Sequence, residues 1–110
     1  MQSNPFLGIF VYINLALNWF DKMEYKKSIK NFQYLQLLDQ YKNTDASLRF
    51  KWSIGELIVR YHLKDSEFLS YRIKQVKKEF KDLLNEKSNA RDKQFISILM
   101  DINGKKRRKY

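Results

Sequence analysis

The sequence predicts an all-α fold of about five helices, arranged as antiparallel hairpins. Apolar residues recur at three-to-four spacing along the chain, the period of one helix face, and no stretch alternates in the manner of a strand. The 110 residues include 3 Gly and 1 Pro, too few for the many turns of an all-β chain. Hydrophobic residues make up 44% and aromatic ones 15%, which separates the chain from disordered sequences and suffices for one core.

The first helix is expected from about Asn4 to Lys22. One apolar stripe runs through Phe6, Ile9, Phe10, Ile13, Leu17 and Phe20, and a second through Val11, Tyr12, Leu15 and Trp19. Pro5 suits a first helical turn, where a missing N–H loses no partner. Asn14 and Asn18 add a narrow polar line. After a break near Lys22–Glu24, a second helix is expected to about Lys42, with Tyr25, Ile29, Phe32, Leu35, Leu38 and Tyr41 inward. Thr44 or Asp45 can cap a third helix that runs to about Leu63 and packs Leu48, Trp52, Leu57, Ile58 and Tyr61. Lys64, Asp65 and Ser66 cap a fourth, with Leu69, Ile73, Val76, Phe80, Leu83 and Leu84 inward. Ser88, Asn89 and Ala90 open a short fifth helix holding Phe95, Ile96, Leu99 and Ile102, with Asn103–Gly104 as its C-cap. Links this short join antiparallel neighbours. Residues 1–104 thus form a single helical domain and 105–110 a basic tail.

Residues 5–20, PFLGIFVYINLALNWF, carry no charge. A membrane span needs about twenty apolar residues, and this stretch is shorter and holds two Asn. A secretory leader needs positive charge ahead of its apolar region, which MQSN lacks. The stretch is expected to be a helix buried in protein, and the chain to be cytoplasmic. With Lys and Arg at 22 and Asp and Glu at 12, the net charge is +10. Half of it sits in Lys105, Lys106, Arg107, Arg108 and Lys109.

Several chemistries are excluded. There is no Cys, hence no disulfide, thiol nucleophile or Cys-based zinc site. A lone histidine, His62, cannot form a His pair for metal and is expected to pack at the end of the third helix. No P-loop, GxSxG or GxGxxG is present. No catalytic residue, metal site or cofactor is assigned, and the chain is expected not to be an enzyme. Trp19, Trp52 and the tyrosines fall on apolar stripes and are expected in the core rather than stacked on bases.

The 34 residues from Ile9 to Lys42 resemble a tetratricopeptide repeat of a divergent, Bacteroidetes-style kind. The matching positions are Tyr12, Leu15, Ala16, Trp19, Phe20, Tyr25, Ser28 and Phe32. Ala16 and Ser28 are the small residues that such a repeat places where its paired helices come closest. Met23 stands where a glycine is usual before the turn, the closing proline is absent, and the second hairpin aligns only as architecture. The resemblance implies a right-handed solenoid fragment whose function is non-catalytic protein–protein interaction, as a scaffold or adaptor. Phe10, Ile13, Asn14, Leu17 and Asp21 would line its protein-binding surface. With no preceding repeat in this sequence to cover it, the first helix is expected to self-associate, to meet a protein partner, or to follow the earlier repeats of a longer solenoid. The alternative is a small basic protein bound to nucleic acid or the ribosome. It would use the tail (Lys105, Lys106, Arg107, Arg108, Lys109) and a lysine face of the fourth helix, Lys74, Lys77, Lys78 and Lys81.

Overall fold

The computed structural model describes residues 7–107, with side chains through residue 104. These residues form α1 (Leu7–Asp21), α2 (Tyr25–Leu37), α3 (Asp39–Lys42), α4 (Ala46–Leu63), α5 (Ser66–Glu79), α6 (Lys81–Leu84), a 3-10 turn (Lys87–Asn89) and α7 (Ala90–Arg107). No strand occurs among the described residues, and the fold class is all-α. The expected positions Asn4, Pro5 and Phe6 of the first helix lie outside the described residues.

Three expectations are corrected. The second helix does not run unbroken to Lys42: Leu38 is extended, with ψ 137°, and separates α2 from α3. The fourth divides likewise at Phe80 into α5 and α6. The fifth is 18 residues long rather than short. Its expected C-cap fails because Gly104 does not adopt a positive φ and the helix continues to Arg107.

The chain contacts divide it into two compact units, residues 1–49 and 50–110. In the first, α1 pairs with α2. The Ser28 hydroxyl donates to the Ala16 carbonyl at 2.7 Å, and both residues are wholly buried. The small pair therefore lies at the close approach of the two helices, as the repeat-like spacing suggests. Around it Ile9, Ile29, Phe32, Leu35 and Tyr41 form the core, and burying each large apolar side chain contributes roughly 1.5–3 kcal/mol. Gly8 makes room for Leu38, since a Cβ there would come within 3.2 Å of a Leu38 methyl.

The turn after α1 is a Schellman motif. Glu24 N–H donates to Trp19 C=O at 2.8 Å and Met23 N–H to Phe20 C=O at 2.9 Å, which satisfies carbonyls the helix end leaves open. The motif needs a left-handed residue, and Met23 supplies it at φ 61°. A glycine is usual at this point in the repeat pattern for that reason.

In the second unit, Phe50, Ile54 and Leu57 of α4 pack with Leu69, Ile73 and Val76 of α5, and with Phe80, Leu84, Ile96 and Leu99. This differs from the stripe expected for the third helix. Leu48 is exposed and Trp52 only half-buried, whereas Phe50, Ile54 and Val59 are core. The expected caps hold: Asp65 accepts Phe68 N–H at 3.2 Å, and Asp45 accepts Ser47 N–H at 2.9 Å. Asn103 is no cap. It is buried, and its amide donates to Ser66 C=O and Ser70 Oγ, both at 2.8 Å, which ties α7 to the start of α5.

Candidate interaction surfaces

The uncharged N-terminal stretch buries one side of α1. Ile9 and Ala16 are fully enclosed, and Tyr12, Ile13, Trp19 and Phe20 are half-buried. The helix is thus not buried on two sides. Its outer side carries Leu7, Phe10, Val11, Leu15 and Leu17, all exposed, with Asn14 and Asn18 between them. Of the residues expected to bind protein, Phe10, Asn14, Leu17 and Asp21 share one exposed flank, spaced four, three and four apart. Ile13 joins them at its half-buried edge. Phe10 is 55% exposed and Leu17 52%, so these large apolar side chains are left uncovered by the described residues. At the helix end, the ammonium groups of Lys22 and Lys27 lie 5.3 and 4.4 Å from the centre of the Trp19 ring. They put charge around the apolar strip without entering it.

A second feature lies in the other unit, apart from the lysines and tail arginines that the sequence points to. Glu56, on α4, is 1% exposed and accepts from both neighbouring arginines. Arg60 Nε reaches it at 2.6 Å, while Arg72, on α5, makes a two-pronged contact at 2.8 and 2.7 Å. Burial pushes the Glu56 carboxyl up. The hydrogen bond and charge of Arg72, then those of Arg60, outweigh it and hold the carboxyl below its ordinary value. The cluster reaches the surface through Arg72, whose Nη1 donates to Gln75 Oε1 at 2.9 Å. Gln75 Nε2 in turn donates to the Tyr71 hydroxyl at 2.9 Å. The Arg60 guanidinium lies 4.4 Å from the centre of the Phe68 ring.

Lys74, Lys77 and Lys78 project from α5 and Lys81 from α6, all exposed. The Phe80 break falls between them, and Lys77 instead contacts the Met100 sulfur at 3.7 Å. In the tail, Lys105, Lys106 and Arg107 continue α7 in backbone. Arg108 and Lys109 lie outside the described residues.

A groove of about 280 Å³ between α4 and α7 is lined by Ile58, Tyr61, His62, Phe95, Ile98 and Ile102 among others. His62 is therefore exposed at a groove rim rather than packed in the core. Among the described residues no three His, Cys, Asp or Glu side chains gather as metal ligands would, and no helix is long and apolar enough to cross a membrane. No protein-family model, no curated protein and no solved structure matches the chain.

Proposed function

We propose that the chain is a non-catalytic protein-interaction module of tetratricopeptide-like helical hairpins, docking through the outer flank of α1. The observation that carries this is the exposed strip of Leu7, Phe10 and Leu17 on a helix with no charge before Asp21. Covering one such side chain contributes roughly 1.5–3 kcal/mol, so a strip of several can hold a partner helix. The repeat-like approach at Ala16 and Ser28 supports the tetratricopeptide-like part of the proposal, because stacked hairpins of that kind cover such a face with a neighbouring helix. The neighbour is a second copy or an apolar helix of another protein.

Light scattering over a concentration series tests the self-associating case. The mass of the unmodified chain is expected to rise with concentration. Phe10→Glu with Leu17→Glu is expected to return it to monomer without loss of helicity, since neither side chain is in the core. An unmodified chain that stays strictly monomeric at high micromolar concentration would remove self-association and leave only a foreign helix. If a designed amphipathic apolar helix then binds parent and variant equally, α1 is not the docking face.

A further inference from the structure

We propose that the outward face of α5 is a binding strip for single-stranded nucleic acid, with Phe68 and Tyr71 as base-stacking platforms and Lys74, Lys78 and Lys81 as phosphate contacts. This goes beyond the protein-docking role of α1 and uses a different unit of the chain.

The buried residues Leu69, Ile73, Val76 and Phe80 define the inner side of this segment. At 100° per residue, Tyr71, Lys74, Gln75 and Lys78 fall on the opposite side, with Phe68 at its flank. Beyond this line and past the break, Lys81 is also exposed. Glu67 in the first turn of α5 and Asp82 in α6 stand at the two ends of the strip and bound its length. The three lysines Lys74, Lys78 and Lys81 make no ion pair with any described residue. An open concavity of about 630 Å³ beside Lys78, the one of the three that lines it, is bounded also by Tyr71, Arg72, Gln75 and Glu79.

The second observation concerns the rings. Tyr71 is 56% exposed and Phe68 40%, and each is tied to a neighbouring side chain. Tyr71 is tied through Gln75 and Arg72 to the buried Glu56 carboxylate. Phe68 rests on the guanidinium of Arg60, itself bonded to the same carboxylate. The two ring centres are 6.0 Å apart. Ordering an exposed aromatic side chain costs conformational entropy without burying its surface, so fixed, open π-faces are suited to a ligand that stacks on them. Beside unpaired cations, the complementary ligand carries flat rings and regularly spaced negative charge. A single strand offers both, whereas an acidic peptide offers only the charge.

Fluorescence anisotropy of the full chain with a labelled single-stranded oligonucleotide of mixed sequence tests this. Tyr71→Leu keeps every charge and removes the π-face; it is expected to weaken binding roughly tenfold. Lys74→Gln, Lys78→Gln and Lys81→Gln together are expected to weaken it further. They should also make the slope of log affinity against log salt shallower by about 2, at the single-strand value per phosphate contact. Circular dichroism checks that each variant is folded, and the lysine variant, altered only at exposed positions, keeps the test open if Tyr71→Leu is not. Two results overturn the proposal. In one, affinity and salt slope are unchanged in both variants, so that the tail alone binds. In the other, Tyr71→Leu has no effect and polyglutamate competes as well as the oligonucleotide, which makes α5 a general polyanion or acidic-peptide surface.

Discussion

Glu56 shows how a single residue sets both stability and its pH range. Its carboxylate is buried between Arg60 and Arg72, and taking one partner from such a cluster is far costlier than the cluster is worth as a whole. Glu56→Gln keeps the shape but leaves two guanidinium groups facing a neutral amide, and is expected to destabilise by about 3–5 kcal/mol. The pH dependence follows from the direction of the shift. The folded-state carboxyl lies below its ordinary value of 4.5, so the unfolded chain takes up the proton more readily. The stabilisation is therefore complete above that ordinary value and is lost as pH falls from there through the folded-state value. Denaturant melts of parent and variant should differ fully near neutral pH and converge in acid. A gap that stays constant into acid would show that the carboxylate charge is not what holds the arginines. Part of this cluster was legible in the sequence: Glu56 and Arg60 stand four apart, a spacing that pairs opposite charges along a helix. Arg72 was not, because its approach is a tertiary contact between α4 and α5 that no local spacing encodes. Tyr71, expected in the core with the other tyrosines, is instead 56% exposed, because it lies across α5 from the buried Leu69, Ile73 and Val76.

At the scale of elements, helices were legible and their interruptions were not. The apolar stripes of α2 and α5 follow from period alone, whereas those of α1 did not tell its buried side, Ile9 and Ala16, from its exposed one; Asp45 and Asp65 cap where their chemistry suggests. The breaks at Leu38 and Phe80 carry no proline or glycine. Both are apolar side chains with partners to reach, the Gly8 surface of α1 for Leu38 and the Phe50 ring, 5.3 Å between centres, for Phe80. Packing there overrides propensity. The glycine signal was misleading in the opposite sense. Gly104 lies in helix, with nothing within 4 Å of the point a Cβ would occupy, while Met23 bears the left-handed turn that a glycine would ease. Exchanging the two roles gives a paired test. Met23→Gly is expected to stabilise by about 0.5–1 kcal/mol, relief of left-handed strain exceeding the entropy glycine adds to the unfolded chain. Gly104→Ala is expected to be neutral or to stabilise by up to about 1 kcal/mol. Thermal melts decide it. Destabilisation by Gly104→Ala would mean that α7 ends at residue 104 with a left-handed cap after all.

For the whole molecule, the governing quantity is the net charge of +10. Like charges destabilise the compact chain and oppose the meeting of two copies. The buried pairs at Glu56 are screened little by salt. The Lys51–Asp92 pair is more open, with the lysine side chain 55% exposed, and exposed pairs of this kind contribute at most about 1 kcal/mol. Self-repulsion is thus the larger salt-sensitive term, and moving from low to physiological ionic strength is expected to raise the melting temperature. A fall would mean that attractive surface pairs outweigh the repulsion. The same titration separates the two proposed surfaces, because their partners differ in charge. If α1 joins two copies, salt weakens the repulsion between two cationic bodies while the uncharged strip from Leu7 to Phe20 feels it little, so association should strengthen. Binding of an oligonucleotide to α5 releases counterions, so it should weaken over the same range. Association that weakens with salt would place the contact between copies on charged residues and away from the outer flank of α1. Oligonucleotide affinity that does not fall would remove phosphate contacts from Lys74, Lys78 and Lys81, however well the rings of Phe68 and Tyr71 stack.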